Sequence, residues 1–105
     1  MGLEIAIDEL YASGWTALDT SGCHYSCGRA YPGVKRVESE FAAAGYEFST
    51  HKVDLFDCFR AEWRDRHGAP RGGVVGATRE EAAVYALAQL RRTSIAANSG
   101  AAATV

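Results

Sequence analysis

Apolar residues recur at the spacing of a helical face in three segments, and we predict a helix in each. The predicted helices span residues 3–13, 32–44 and 78–92. Their buried stripes are, in chain order, Leu3, Ile7, Leu10 and Tyr11; Val34, Val37, Phe41 and Ala44; and Ala83, Val84, Leu87, Ala88 and Leu90. Pro32 fits the first turn of the second helix, where its missing N–H costs nothing. Thr78 and Glu81 have the spacing of a capping box, in which each residue's side chain accepts a backbone N–H of the other.

Apolar and polar residues alternate in three further segments, which predicts β-strands. The predicted strands span residues 46–53, 56–65 and 71–77. The alternation is clearest in the second, where Phe59, Ala61 and Trp63 face one way and the polar residues between them face the other. The resulting order is α, long loop, α, β, β, β, α. It predicts an α+β fold in which a three-stranded antiparallel sheet is packed with helices.

Two segments show neither the helical spacing nor the strand alternation of apolar residues. Residues 16–31 are rich in Gly, Ser and Thr, and we predict a long loop, which in a compact domain is typically functional or mobile. Residues 93–105 are mostly small, and we predict a flexible, alanine-rich C-terminal tail. A chain of 105 residues corresponds to one domain, which we place at residues 3–92.

The amino-acid composition and net charge are those of an ordinary globular domain. Hydrophobic residues make up 48% and charged residues 23% of the chain, as in a globular domain, and the net charge of −2 predicts no general attraction to nucleic acid or membrane. The first residues are acidic, whereas a signal peptide begins with basic residues, and the three cysteines form no even-numbered disulfide framework. We therefore expect a cytoplasmic protein with free thiols and no cofactor.

The part of the chain from Pro32 to Arg92 resembles a double-stranded RNA-binding domain in its α-β-β-β-α order. A glycine-rich strand followed by Gly76-Ala77-Thr78-Arg79-Glu80-Glu81-Ala82-Ala83-Val84-Tyr85-Ala86-Leu87 carries this resemblance. In that family the first turn of the last helix is rich in lysines that contact phosphates. Here that turn is Arg79, Glu80 and Glu81, and its two acids would repel a phosphate backbone.

The chain as a whole resembles small uncharacterised bacterial and phage domains that are described as α-β-α sandwiches. The matching residues are Gly14-Trp15, Gly45-Tyr46-Glu47-Phe48-Ser49 and Ala77-Thr78-Arg79-Glu80-Glu81-Ala82. This resemblance implies an architecture and no defined activity.

Cys23, His24 and Cys27 form the densest group of potential metal ligands. Zinc prefers about four sulfur and nitrogen ligands, and His51, Cys58 or His67 could supply the fourth. Because the loop lacks the close Cys-x-x-Cys pair of a structural zinc site, two ordinary cysteines in a loop are the alternative.

Charged residues cluster around the second and third predicted strands. They are Arg60, Glu62, Arg64, Arg66 and Arg71. Arg60, Glu62 and Arg64 would make one sheet face polar, either as a recognition surface or as an ordinary solvated face. In a second alternative, the first helix covers this face and makes a three-layer sandwich.

The sequence shows no recognisable set of catalytic residues, and we do not expect an enzyme. We expect a small binding or adaptor module that contacts a protein partner or a second copy of itself. Two alternatives remain, a nucleic-acid-binding module that uses the basic residues from Arg60 to Arg71, and a module stabilised by zinc.

Overall fold

The computed structural model describes residues 2–16 and 18–103, and of residues 94–103 it describes the backbone. Within these residues, three helices and five strands follow one another. They are α1 (Gly2–Ala12), β1 (Cys23–Ser26), β2 (Arg29–Pro32), α2 (Val34–Ala43), β3 (Glu47–Val53), β4 (Cys58–Arg64), β5 (Pro70–Gly76) and α3 (Arg79–Ala103). The predicted α+β fold class is confirmed, and so is the three-stranded antiparallel sheet.

The main sheet has the strand order β3-β4-β5, and both pairings are antiparallel. In β4, Ala61 and Trp63 are buried, whereas Arg60 and Arg64 are exposed. The predicted period of two is therefore correct, because the pleat sends alternate side chains to opposite faces. The strand begins at Cys58, later than the predicted start at residue 56, and Phe56 lies in the turn between β3 and β4.

The core lies on one side of this sheet. The central helix α3 packs against the sheet and against α2, and α1 packs on α3. The small residues Ala82, Ala83 and Ala86 of α3 are fully buried, which allows its neighbours to approach closely on several sides. The alternative in which α1 covers the second face of the sheet is therefore wrong, because α1 docks on the far side of α3.

The predicted loop at residues 16–31 contains a regular element. Strands β1 and β2 pair as an antiparallel hairpin from Cys23 to Pro32, and Ser26 pairs with Arg29 across a two-residue turn. Cys27 and Gly28 form that turn with φ values of 50° and 78°. Two central residues of positive φ are typical of the type I′ turn, whose twist matches that of the strands it connects.

The hairpin is attached to α1 through Arg29. Its guanidinium donates to Glu4 Oε1 at 2.9 Å and to Asp8 Oδ1 at 2.5 Å, and it lies 5.7 Å from the centre of the Tyr11 ring. The Ser26 hydroxyl also donates to Glu4. Two acidic residues one turn apart on α1 thus hold the hairpin in place.

Helix α2 begins later than predicted. Pro32 is the last residue of β2, where it pairs with Cys23, and Gly33 is the N-cap of a helix that starts at Val34. A proline is compatible with the end of an edge strand, since it lacks the N–H that an interior position would need. The predicted stripe is confirmed at Val37 and Phe41, which are fully buried.

The capping box of α3 forms only in part. The Thr78 hydroxyl accepts the N–H of Glu81 at 3.1 Å, as predicted. The Glu81 side chain instead lies directly against Gly2, where a side chain on residue 2 would overlap it. The helix also continues past the predicted end at residue 92, so its backbone includes residues 93–103 of the predicted tail; residues 104–105 lie outside the described residues.

Candidate functional site

The second face of the main sheet has no helix over it in the described part of the chain. We call this surface the open face. Its side chains come from alternate positions of the three strands and are Glu47, Ser49, His51, Val53, Cys58, Arg60, Glu62, Arg64, Arg71 and Val75, with Gly73 among them. It is the face of the sheet that lies away from the core, and it contains most of the residues predicted to bind a partner.

Glu62 is at the centre of the open face. Its carboxylate lies 3.7 Å from His51 Nδ1 and 3.6 Å from Arg60 Nε, so it faces one cation and one imidazole. Along β4 the charges alternate from Arg60 through Glu62 to Arg64. Glu47 is directly opposite Arg64 on β3, which continues the alternation across the strands.

Arg60 extends across the sheet toward β5. It pairs in register with Val75, yet its guanidinium lies over the neighbouring Gly73, where Nη2 would be 2.6 Å from an added Cβ. Val75 is 50% exposed, which is high for an apolar side chain in a sheet. The border of the open face at β5 therefore combines a cationic group, an exposed apolar group and a strip of bare backbone.

The turn between β4 and β5 is organised by Asp65. Its carboxylate accepts the backbone N–H groups of His67 and Ala69 at 2.9 and 3.0 Å, and it accepts from Arg71 at 3.0 Å. These donors, above all the Ala69 N–H, hold the pKa of Asp65 below its usual value of 3.8. Arg66 is at the rim of a shallow depression of about 280 Å³ between this turn and Tyr46.

The five residues predicted to bind a partner thus fall into two adjoining groups. Arg60, Glu62 and Arg64 lie along β4 on the open face. Arg71, which is on the same face, and Arg66 are at the end of the sheet where β4 turns into β5. Arg71 is paired with Asp65, whereas Arg64 and Arg66 have no carboxylate within 4 Å among the described residues. Acidic residues are distributed among the arginines, and the binding role of the five residues stays a prediction.

The predicted metal ligands do not converge. Cys23 and His24 are successive residues of β1 and point to opposite sides, while Cys27 is exposed in the hairpin turn. Cys23 Sγ accepts a hydrogen bond from Arg36 at 3.4 Å, and the His24 ring lies 5.7 Å from that of Tyr31. In the part of the chain that the structure describes, no group of three or more His, Cys, Asp or Glu side chains is arranged to hold a metal ion.

The turn between β3 and β4 displays two large apolar side chains. Leu55 is 89% exposed and Phe56 is 75% exposed, and Asp54 and Asp57 flank them. The predicted strand 56–65 includes Phe56, and the structure corrects that assignment by placing Phe56 in the turn. The sequence signal is the pair of aspartates around two apolar residues, which is typical of a tight turn.

Sequence reasoning also missed the position of Arg60 over Gly73. A glycine within a strand typically allows a neighbouring helix to pack close. That is correct for Gly76, where an added Cβ would be 2.6 Å from the Ala82 nitrogen, and it does not apply to Gly73, whose neighbour is a surface side chain. A diagonal contact between strands depends on the rotamer of a long side chain, and no local pattern reports it.

Comparisons with protein-family models, with curated proteins and with solved structures found no match. The two family resemblances therefore stay predictions. Among the described residues, none of the helices combines the length and the apolar character that crossing a membrane requires.

Proposed function

We propose that this chain is a non-enzymatic protein-binding module and that its contact surface is the open face of the main sheet. The observation that supports this most directly is the alternation of charge along β4, from Arg60 through Glu62 to Arg64, on a face that no helix covers in the described part of the chain. Such a surface favours a partner protein that places a negative charge opposite each arginine and a positive charge opposite Glu62. Pairs of opposite charge fix the alignment of two proteins, and like charges exclude wrong partners.

A protein is a better match to this surface than a nucleic acid. Glu47, Glu62 and Asp65 are interspersed among the arginines, and each would oppose a phosphate backbone of uniform negative charge. A protein surface can present both signs of charge. Val75 and the aliphatic part of Arg60 add apolar area, which a protein contact buries and a phosphate contact does not.

A photo-crosslinking experiment tests the proposal. Benzoylphenylalanine is placed at Ser49 on the open face, or at Glu38 on the exposed side of α2 as the matched control, and crosslinks are formed in cells that produce the protein natively. The expected result is a partner captured from Ser49 and not from Glu38. The purified partner should then bind an Arg64→Glu variant roughly tenfold more weakly, a loss of about 1.4 kcal/mol.

Equal capture from Ser49 and Glu38, or an Arg64→Glu variant that binds as tightly as the native chain, would overturn the proposal. A crosslink to a second copy of the chain, with a dimer seen by light scattering, would make self-association the function of this face. Labelled duplex RNA tests the nucleic-acid alternative. We expect no binding at low salt, whereas binding that weakens steeply as salt rises would favour that alternative.

A further inference from the structure

Strand β5 is an edge strand with an unused hydrogen-bonding side. It pairs with β4 on one side only, and among the described residues its backbone forms no other hydrogen bond. It contains seven residues, three of which are glycine, and Arg71 is its single charged residue. Natural edge strands are usually protected by charged residues, proline, a bulge or a covering segment. In β5 the proline, Pro70, and the register irregularity opposite Arg64 are both at the start of the strand, so the backbone from Gly72 to Gly76 is available to an added strand.

The second edge of the sheet is less suited to accept a strand. β3 carries Lys52, which lies 3.7 Å from Asp57, and it has no glycine along its length. A lysine on an edge is a common device against further pairing. Of the two edges, β5 therefore offers the more accessible backbone.

The position of Arg60 favours a negatively charged strand as the partner of β5. Its guanidinium reaches over Gly73 toward the free edge, and Arg71 is two residues further along on the same face of the strand. A strand added to β5 would place alternate side chains beside these two groups. Arg60 already lies 3.6 Å from Glu62, and Arg71 is paired with Asp65 at 3.0 Å. Each guanidinium has five N–H donors, so carboxylates on an added strand would form further charge-assisted hydrogen bonds with those that remain.

A second copy of this chain is a poor occupant of the same edge. The antiparallel register that pairs all of Pro70–Gly76 with its own copy sets Gly73 opposite Gly73. The two Arg60 guanidinium groups would then face each other across roughly one strand spacing of about 4.8 Å, where like charges repel. The charge on the edge favours an acidic segment of another protein.

We propose that β5 accepts an extended, acidic segment of a partner protein as a fourth strand. Arg60 and Arg71 then bind the carboxylates of those side chains of the segment that lie on the same side as the open face. This inference rests on the proposed protein-binding function and names the chemistry of the partner. Backbone pairing supplies the affinity, whereas alternate side chains supply the selectivity, as in other cases of strand addition.

The test uses a fluorescently labelled synthetic peptide in which glutamate and valine alternate over eight residues, titrated with the full chain at low salt. The control peptides carry lysine in place of glutamate, or proline at two central positions, which removes N–H donors. We expect the acidic peptide to bind and both controls to bind at least roughly fivefold more weakly. Amide hydrogen exchange should slow in β5 and not in β3 when the acidic peptide is added.

Two variants separate the mechanism from general charge attraction. Gly73→Val adds a side chain chiefly where the Arg60 guanidinium lies, since the Ala61 carbonyl oxygen, 3.5 Å from an added Cβ, is at ordinary contact distance. The variant therefore displaces that guanidinium without removing any charge. It should weaken acidic-peptide binding to about the same extent as Arg60→Gln, roughly fivefold. Lys35 is an exposed residue of α2 that lies away from the sheet. Lys35→Gln removes its charge and should leave binding of the acidic peptide unchanged.

Equal binding of the acidic and the lysine peptides, or a Gly73→Val variant that binds as well as the native chain, would overturn the inference. The Ser49 crosslinks report on the proposed function independently. If they persist while the acidic peptide fails to bind, the open face still contacts a protein and only the assignment to the β5 edge is wrong.

Discussion

Gly72 and Gly73 are adjacent residues of β5 that face opposite sides of the sheet. An added Cβ on Gly72 would overlap the Trp63 ring in the core, whereas on Gly73 it would meet chiefly the flexible end of Arg60. We expect Gly72→Ala to lower the free energy of unfolding by about 1–3 kcal/mol, because it overpacks the core. Gly73→Ala should change it by less than about 0.5 kcal/mol. Urea denaturation of the two variants measures both values, and an equal loss in both would contradict this account.

Asp65 gives the stability a defined dependence on pH. Its pKa is lowered in the folded state, chiefly by the Ala69 N–H, so its ionised form contributes stability above its usual pKa of 3.8, which is lost as pH falls through the folded pKa. An Asp65→Asn variant has no ionisable group at this position. The stability difference between the native chain and the variant should therefore be constant above about pH 5 and shrink below it.

Thermal unfolding of the native chain and of Asp65→Asn, followed from neutral pH to about pH 2, checks this expectation. The other carboxylates are common to both proteins, so their titration cancels in the difference. A difference that grew as the pH fell would show that Asp65 is not stabilised as an anion.

At the scale of elements, Arg29 is one attachment of the β1–β2 hairpin to α1, and the Tyr11 hydroxyl, which donates to the Ala30 carbonyl at 2.7 Å, is another. An Arg29→Met variant keeps the aliphatic chain and loses the ion pairs with Glu4 and Asp8. We expect amide hydrogen exchange to become several-fold faster in residues 23–32 while the amides of β4 keep their protection. Lys35→Met is the matched control and should leave both regions unchanged. Faster exchange throughout the chain would instead indicate a global loss of stability.

The elements that could be predicted are those whose own residues carry the period. In β4 the alternation from Phe59 to Arg64 appears directly in the burial of the side chains. The β1–β2 hairpin could not be predicted for two reasons. Its turn residues, Cys27-Gly28, are not one of the common Asn-Gly or Asp-Gly pairs. The hairpin is also held by contacts with α1, which are distant in sequence. The end of α3 was placed too early because Arg91 and Arg92 have the charge that favours a helix C-terminus.

For the whole molecule, the arrangement of layers decides what is available for function. The three helices of the described residues lie on one side of the sheet, so they leave the face that contains Glu62 uncovered. The grouping of Arg60, Glu62 and Arg64 could be predicted from alternation alone. The role of β5 as an edge could not, since it depends on which strand ends the sheet and on how Arg60 extends across Gly73.

The stability of the whole chain should not depend on a metal ion. Cys23 and His24 point apart and Cys27 is exposed, so these residues do not assemble the four-ligand set that stabilises small zinc domains. We expect the Tm to be unchanged by a strong chelator and by added zinc. A fall in Tm on chelation, with zinc found in protein purified without chelator, would contradict this expectation.

The exposed turn that carries Leu55 and Phe56 divides the chain into two parts of similar size. Proteases that cut beside large apolar residues should find this turn early, because both side chains extend into solvent. The two fragments, residues 1–55 and 56–105, would still share the contact between Phe41 and Trp63, whose ring centres are 5.0 Å apart, and the seven-residue pairing of β3 with β4. A nicked chain should therefore remain associated, and separately produced halves should reassemble into a complementation pair.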